Sequence, residues 1–237
     1  MEKFKHYSFD LWLTLIKSNR YFKKASAEYF YRNFNFLKKS IDEVESIFKE
    51  VDVTCNRINE ITGKNIDSDE MYLLALHKIN GKIDLISEIT LSDIYMDIEE
   101  IIFNYLPEIY DKDTLGTLKK IKNENRDVTM NILSNTAFIK GETLRKILNE
   151  LALAKYFDFL IFSDEVGYSK PNINIFNLTW NEILKIRKDS TILKKEEVIH
   201  VGDNFIADIE GSKKFGFSCL QINTNEKSII QLLEYAA

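Results

Sequence analysis

Residues 197–222 read EVIHVGDNFIADIEGSKKFGFSCLQI. The apolar run 197–201 predicts a buried strand, the segment 205–215 has helical spacing, and the run 217–222 predicts a second strand. A strand that leads through a helix into another strand is typical of parallel pairing with a right-handed crossover. This stretch therefore indicates an α/β fold.

The same alternation extends back along the chain to residue 108, and a short strand opens the chain. We predict strands at 4–9, 127–133 and 158–162, and helices at 112–124, 140–152 and 173–186. Strands that alternate with helices in this way predict one parallel sheet with helices packed against it.

The region after the first strand has a different pattern and predicts long helices. Ser40, with a glutamate three residues on, has capping-box spacing at the start of a helix that Gly63 ends. A third helix is predicted near 68–79, and isoleucines at helical spacing predict a fourth over 86–102.

We therefore expect two domains: an α/β core formed by residues 1–18 and 108–237, and an all-helical insert at 19–107. An insert that directly follows the first strand lies above the carboxyl ends of the strands. Open α/β sheets bind their ligands at that edge.

Composition excludes several classes of protein. The 237 residues are 45% apolar and 12% aromatic, which excludes a disordered chain, and the net charge of −5 gives no basic excess for nucleic acid or an anionic membrane. Cys55 and Cys219 have no metal-site or disulfide spacing, and the opening segment resembles neither a signal peptide nor a membrane span. We expect a cytoplasmic protein with a small-molecule substrate, and leave open whether it is a monomer or a homodimer.

Polar residues follow four predicted strands. In chain order they are Asp10 and Thr14, then Ser134 and Asn135, then Lys170 at longer range, then Asp203 and Asp208. Asp10 and Asp203 offer hard oxygen ligands suited to Mg²⁺. Asp10 could also be a nucleophile, as carboxylates are in aspartyl-phosphate enzymes.

The remaining groups suit an anion. Ser134 offers a hydroxyl, the amides of Asn135 and Thr136 are expected near a helix N-terminus, and Lys170 supplies a positive charge. Each signal alone has a common structural explanation, since an Asp after a strand is often a turn residue and Ser-Asn-Thr is often a helix cap. All four together, in this order, favour a site for an anion and a metal.

Four short motifs together carry a resemblance to a known family. They are Asp10-x-x-x-Thr14, Ser134-Asn135, Lys170-Pro171 and Gly202-Asp203-Asn204-x-x-x-Asp208. In their order, their spacing and the position of the helical insert, the chain resembles the haloacid dehalogenase-like hydrolase superfamily, in the branch with a helical cap between the first two motifs. The resemblance implies a Rossmann-like core, a mobile cap, a Mg²⁺ ion and Asp10 as the nucleophile. Most members of the superfamily hydrolyse phosphate esters, and a minority cleave carbon–halogen or carbon–phosphorus bonds.

The resemblance also implies roles for the other residues. The metal ligands would be Asp10, the main-chain carbonyl of Trp12 and Asp203, with Asp208 beside them. Ser134 and Lys170 would hold the transferred group, supported by Thr14 and Asn135.

One position departs from the family pattern. Family phosphatases have a second Asp two residues after the nucleophile, which serves as general acid and base, and this chain has Trp12 there. A missing general acid costs about 10²–10⁴ in rate. Family members that break carbon–halogen bonds also lack that Asp, and a halide leaves without a proton. Trp12 therefore favours 2-haloacid dehalogenase chemistry.

Asp203 and Asp208 favour the opposite conclusion. Family dehalogenases work without a metal and lack the Gly-Asp pair. Together with Asp10, these carboxylates would repel one another without a cation, and Mg²⁺ favours a phosphoryl substrate. We rank Mg²⁺-dependent hydrolysis of a small phosphorylated metabolite first and dehalogenation second. A degenerate member that binds a phosphorylated ligand without turnover is the third alternative.

Two further predictions concern residues outside the motifs. His200 lies in a predicted buried strand and is expected to be a core histidine with satisfied hydrogen bonds. The aromatic residues between Tyr29 and Phe36 either line a pocket in the cap or fill its core, and the sequence leaves both open.

Overall fold

The computed structural model of the protein describes residues 4–81, 91–124, 127–187, 193–224 and 226–236. Its strands are β1 (His6–Phe9), β2 (Ile16–Lys17), β3 (Glu108–Ile109), β4 (Thr129–Ser134), β5 (Phe159–Phe162), β6 (Val198–Gly202) and β7 (Ser218–Gln221). Within these ranges, one parallel sheet has the strand order β5-β4-β1-β6-β7. The predicted Rossmann-like α/β fold class is confirmed.

The α-helices lie between the strands and in the region after β2. They are α1 (Arg20–Asn33), α2 (Ile41–Thr62), α3 (Ser68–Asn80), α4 (Leu91–Asn104), α5 (Thr114–Glu124), α6 (Gly141–Glu150), α7 (Ser163–Val166), α8 (Ile173–Ile186), α9 (Gly211–Phe215) and α10 (Leu233–Ala236). We call α1–α4 the helical insert. None of the described helices is long and apolar enough to cross a membrane.

The register of the sheet brings the motif segments to one edge. Phe9 at the end of β1 pairs with Ile132 in β4 and with Val201 in β6. Because these strands are parallel, their carboxyl ends lie side by side. The segments that begin at Asp10 and at Asp203 therefore start next to each other.

Local signals in the helical insert are confirmed. The Ser40 hydroxyl accepts from the Glu43 amide in a capping box, and Gly63 ends α2 with a φ of +67°. This left-handed conformation favours glycine. For the predicted fourth helix, the part over 82–90 lies outside the described residues, and the described helix begins at Leu91.

The pairing of β2 with β3 was not predicted. Lys17 pairs with Glu108 and Ile16 with Ile109, so the chain enters and leaves the helical insert through an antiparallel ribbon. Two residues per strand give no periodic pattern in the sequence. The division into a core and a cap domain stays a prediction.

The aromatic residues between Tyr29 and Phe36 divide between two environments. Phe30 is fully buried; its ring lies 4.5 Å from that of Phe48 and 5.6 Å from that of Tyr72. Tyr31 and Phe36 are exposed. The structure therefore assigns Phe30 to the core of the helical insert.

The single helix predicted over 205–215 is divided in the structure. A π-helical turn, Phe205–Glu210, comes first, and α9 follows. Gly211 lies at the junction, where a Cβ atom would come within 2.9 Å of Phe176 and of Pro171. Such turns are frequent at functional sites, and this one contains Asp208.

Candidate active site

Asp10 follows β1 directly, and 7% of the residue is exposed. Its N–H donates to the Val201 carbonyl at 2.9 Å, so the neighbouring strand fixes its main chain. Its Oδ1 accepts a hydrogen bond from Lys170 Nζ at 2.8 Å, and its Oδ2 accepts from Thr14 Oγ1 at 2.9 Å. The carboxylate is therefore held in one orientation.

Lys170 is almost completely buried and uses every donor it has. Nζ donates to Asp10 Oδ1, to Asp208 Oδ1 at 2.6 Å and to the Leu133 carbonyl at 2.6 Å, and an ammonium group has three N–H bonds. Burial by itself lowers the pKa of Lys170, but the two carboxylates outweigh burial and raise this pKa above its ordinary value. Lys170 therefore stays charged.

Asn135 fixes the main chain of Lys170. The Lys170 N–H donates to Asn135 Oδ1 at 2.7 Å, and Asn135 Nδ2 donates to the Lys170 carbonyl at 3.0 Å. The amide thus joins the loop after β4 to the loop before α8. Both polar atoms of the amide are engaged by the protein, so Asn135 positions Lys170.

Asp208 is buried close to Asp10, and both of its carboxylate oxygens accept hydrogen bonds. Its Oδ1 accepts from Lys170 and lies 3.2 Å from His200 Nε2, while Oδ2 accepts from the Asn204 amide at 3.0 Å. Burial raises the pKa of Asp208, but Lys170 and His200 outweigh it and lower this pKa to about 2. Asp208 is therefore ionised at neutral pH.

His200 is a buried core histidine, as predicted, and both of its ring nitrogens have partners. Nδ1 lies 3.0 Å from Ser8 Oγ, and Nε2 faces Asp208. Burial lowers the pKa of His200, so the ring is neutral at neutral pH. A neutral ring that donates from Nε2 to Asp208 accepts at Nδ1 from the Ser8 hydroxyl.

Gly202 is required by the close approach of Asp208. A Cβ atom on Gly202 would lie 2.2 Å from the Asp208 carboxyl carbon. The glycine of the Gly-Asp motif therefore makes room for the carboxylate that faces Lys170.

Asp203 is half-buried and lies close to two other carboxylates. Burial, followed by the charges of Asp10 and Asp208, raises the pKa of Asp203 to about 7. Gln221 Nε2 holds its main-chain carbonyl at 2.9 Å. One carboxylate oxygen from each of the three aspartates lies within 4.8 Å of the other two.

The charges of this cluster do not balance among the residues named. Lys170 contributes one positive charge against three carboxylates, and His200 is neutral. Carboxylate oxygens are the ligands that Mg²⁺ prefers, and a bound cation would favour the ionised form of Asp203. The donor set fits a divalent hard cation.

One expectation about the loop after β4 is wrong. The Thr136 N–H, expected to be available to a phosphate oxygen, donates to Ser163 Oγ at 2.8 Å. The helix that follows the loop begins at Gly141, close to its predicted start at 140. Ser134 is buried, and its hydroxyl donates to the Asn135 carbonyl at 3.1 Å.

Trp12 lies in the turn between Asp10 and Thr14, which brings the Thr14 hydroxyl to the Asp10 carboxylate. It is partly buried and packs against the main hydrophobic core, and the next residue, Leu13, has a φ of +60°. An indole N–H does not titrate in the physiological range. Trp12 therefore offers no proton transfer where family phosphatases have a carboxylate.

The structure brings most of the predicted site residues together and adds others. Those in direct contact are Asp10, Thr14, Asn135, Lys170, Asp203 and Asp208. Sequence reasoning missed the contacts of Ser8 and His200 with this group. A polar residue two positions before Asp10, in an apolar strand, was the available signal.

The structure thus places a cluster of carboxylates and one lysine at the carboxyl edge of a parallel α/β sheet. The model of the haloacid dehalogenase-like hydrolase family matches residues 4–216. The chain belongs to this family.

The chain is 32% identical over 112 residues to the glyceraldehyde 3-phosphate phosphatase of Methanothermobacter thermautotrophicus, across 47% of this chain and 44% of that protein. It spans less than half the length of the curated relatives it matches. The magnesium-bound HAD hydrolase YfnB from Bacillus subtilis has a similar structure, with a TM-score of 0.67 at 14% identity over 94% of this chain and 91% of that chain. The L-2-haloacid dehalogenase from Xanthobacter autotrophicus gives a TM-score of 0.57 at 20% identity over 92% and 77%. These two likenesses show a shared fold.

Proposed function

We propose that the protein is a Mg²⁺-dependent phosphatase that hydrolyses a small phosphorylated metabolite through a covalent intermediate on Asp10. The observation that carries the proposal is the gathering of three carboxylates, Asp10, Asp203 and Asp208, around one lysine. Such a cluster suits a divalent cation and a phosphoryl group. The match to a phosphatase relative supports the same class of substrate.

Asp10 is the proposed nucleophile. Burial raises its pKa, and the Lys170 charge opposes that rise, so Lys170 keeps a buried carboxylate available for attack. Thr14 and Lys170 each hold one oxygen of Asp10, which fixes its direction. Attack on phosphorus would form an aspartyl-phosphate and release the leaving group as an alkoxide, which takes its proton from water. A second water would then cleave the acyl-phosphate bond, which releases inorganic phosphate and restores Asp10.

Asp10, Asp203 and the Trp12 carbonyl would hold the metal, with Asp208 behind them. When bound, Mg²⁺ supplies positive charge where the transferred phosphoryl group develops negative charge. Lys170 has no unused donor, so it acts through its charge and by orienting Asp10. Ser134 would turn its hydroxyl from the Asn135 carbonyl to the phosphoryl group.

We further propose that the helical insert, within residues 19–107, acts as a cap over a core of 1–18 and 108–237. Contacts between α2 and the loop after β6 support this, because Asn204 Nδ2 donates to Glu60 Oε1 at 2.7 Å. A second contact joins α3 to the loop after β4, because the Tyr72 hydroxyl donates to the Phe138 carbonyl at 3.2 Å. A cytoplasmic location is part of the same proposal.

Trp12 favours a second candidate, the hydrolysis of a carbon–halogen bond. In that reaction Asp10 would attack carbon and a halide would leave without protonation, so the missing carboxylate at Trp12 would cost nothing in the first step. The retained Asp203 and Asp208 place this candidate second.

Parallel assays of phosphate release from phosphate esters and chloride release from 2-chloropropionate test the proposal. We expect phosphate release that needs Mg²⁺, is lost with EDTA and with Asp10→Asn, and persists in the exposed control Asp42→Asn. Chloride release that depends on Asp10 and ignores EDTA would reverse the ranking. Binding of a phosphorylated ligand without either reaction would support a non-catalytic member of the family.

A further inference from the structure

The segment between α2 and α3 lies against the loop that contains Lys170. The Gly63 carbonyl accepts from the Ser169 amide at 3.1 Å and from Asn172 Nδ2 at 2.9 Å. A Cβ atom on Gly63 would lie 2.6 Å from Asn172 Nδ2, so the approach requires glycine. The helical insert therefore bonds directly to the chain next to Lys170.

Asn65, in the same segment, accepts hydrogen bonds from two buried serines through one side-chain oxygen. Its Oδ1 accepts from Ser163 Oγ at 2.6 Å and from Ser169 Oγ at 3.3 Å, and both serines are fully buried. Its Nδ2 donates to Asp67 Oδ1 at 2.8 Å, which fixes which end of the amide faces the serines.

The two serines connect Asn65 to two loops of the candidate active site. Ser163 Oγ accepts the Thr136 N–H at 2.8 Å, and Ser169 directly precedes Lys170. The residue before Thr136 is the asparagine whose amide pairs with the Lys170 main chain. Hydrogen bonds and peptide bonds thus close a ring that starts and ends at Asn65.

We propose that Asn65 is a positioning residue through which the helical insert sets the places of Thr136 and Lys170, and through Lys170 the orientation of Asp10. The inference rests on the proposed role of Asp10. Without the Asn65 acceptor, two buried hydroxyls lose a partner and must rearrange. Misplacement of a catalytic group by about 1 Å can cost about 10² in rate.

The kinetic test compares three variants with wild type on nitrophenyl phosphate with Mg²⁺. For Asn65→Ala we expect the rate of the initial product burst at saturating substrate, which reports attack by Asp10, to fall roughly 10- to 100-fold, because the group lost acts on the reacting residues. The double variant Asn65→Asp, Asp67→Asn keeps the acceptor and reverses the exposed bond between the two side chains, so it should recover most of the burst rate. Glu99→Ala removes the bonds from α4 to Thr143 and Lys146 of α6, which loosens the same interface away from Lys170, and should leave the burst rate near wild type.

A second readout is independent of activity. Amide exchange measured by NMR on the full chain reports two bonds of the ring and one beside it: Thr136 N–H to Ser163 and Lys170 N–H to Asn135 in the ring, and Ser169 N–H to Gly63 next to it. We expect faster exchange at these amides in Asn65→Ala, and wild-type exchange in Glu99→Ala and in the double variant. If Asn65→Ala does not fold, Ser169→Ala removes one donor of the same ring, and the same comparison is made on it.

Unchanged exchange at these three amides in Asn65→Ala overturns the inference whether or not the protein is a phosphatase. A fall in the burst rate of equal size in Glu99→Ala also overturns it, because any loosening of the interface would then suffice. If no ester is hydrolysed by wild type, the proposed function fails, and the exchange data alone decide whether Asn65 positions the loops.

Discussion

Replacing Lys170 by methionine removes the only cation that contacts Asp10 and Asp208 among the described residues. Both carboxylates are buried, so the variant would leave two negative charges without a positively charged partner. Removing one partner of a buried ion pair costs about 3–5 kcal/mol. For a chain of this length each kcal/mol shifts Tm by about 2–4 °C, so we expect Tm to fall by roughly 6–20 °C.

The loss should depend on pH. Without Lys170, only the Thr14 hydrogen bond opposes the effect of burial on the pKa of Asp10, and this pKa rises further above its ordinary value of 3.8. A carboxyl group whose pKa is raised by folding binds more protons in the folded state. Its destabilising effect is complete above the raised pKa and fades as pH falls towards the unfolded value. The difference in stability from wild type is therefore expected to be larger at about pH 8 than at about pH 5.

Thermal and urea unfolding of metal-free protein at both pH values measure this difference. The control is Lys185→Met, which removes an exposed ion pair with Glu182 and should change stability by less than about 0.5 kcal/mol. A Lys170→Met loss no larger than that of the control, or one that grows as pH falls, would show that Lys170 does not compensate the buried carboxylates.

Four other predictions follow from the same cluster. In metal-free wild type, the raised pKa of Asp203 makes the free energy of unfolding fall as pH rises from about 4 to about 7, and Asp203→Asn should flatten that part of the profile in pH-dependent urea unfolding. Mg²⁺ at one hundred times its Kd should stabilise wild type by about 2.7 kcal/mol, and a thermal shift assay should show no such increment in Asp203→Ala. Gly202→Ala should cost about 1–3 kcal/mol in urea unfolding, because its Cβ would overlap Asp208. Nitrophenyl phosphate should give a product burst followed by slow turnover in rapid-mixing kinetics, and Trp12→Asp should restore steady turnover by supplying a base for water.

Much of the fold follows from periodicity in the sequence. The strands of the sheet and the helices between them were predicted from alternation, and the two ends of α2 from Ser40 and Gly63. The β2–β3 ribbon was missed because its partners are far apart in sequence and each strand is too short to show a pattern. The π-helical turn was missed because it depends on how Gly211 packs against α8, which no local pattern encodes.

The candidate site was predictable where residue type and strand position coincide. Asp10, Lys170 and Asp203 lie at strand ends or in the loops that follow, and the structure brings them together. The use of the Thr136 amide by Ser163 was not predictable, because Ser163 begins α7, which follows a different strand. Contacts between loops that are distant in the chain depend on tertiary packing.

The lack of a carboxylate at Trp12 affects the two chemical steps of the proposed reaction differently. A nitrophenyl leaving group needs little protonation, so the first step does not require the missing carboxylate. Hydrolysis of the aspartyl-phosphate needs an activated water, and the Trp12 indole cannot act as a base. The intermediate is therefore expected to accumulate on Asp10.

Acid quenching of the protein during turnover of nitrophenyl phosphate with Mg²⁺, followed by mass spectrometry of the peptide that contains Asp10, tests the central claim most directly. The account predicts phosphate bound covalently to Asp10 in wild type, more of it than in Trp12→Asp, and none in Asp10→Asn or without Mg²⁺. Steady phosphate release with no phosphate on Asp10 at any quench time, in both wild type and Trp12→Asp, would contradict it.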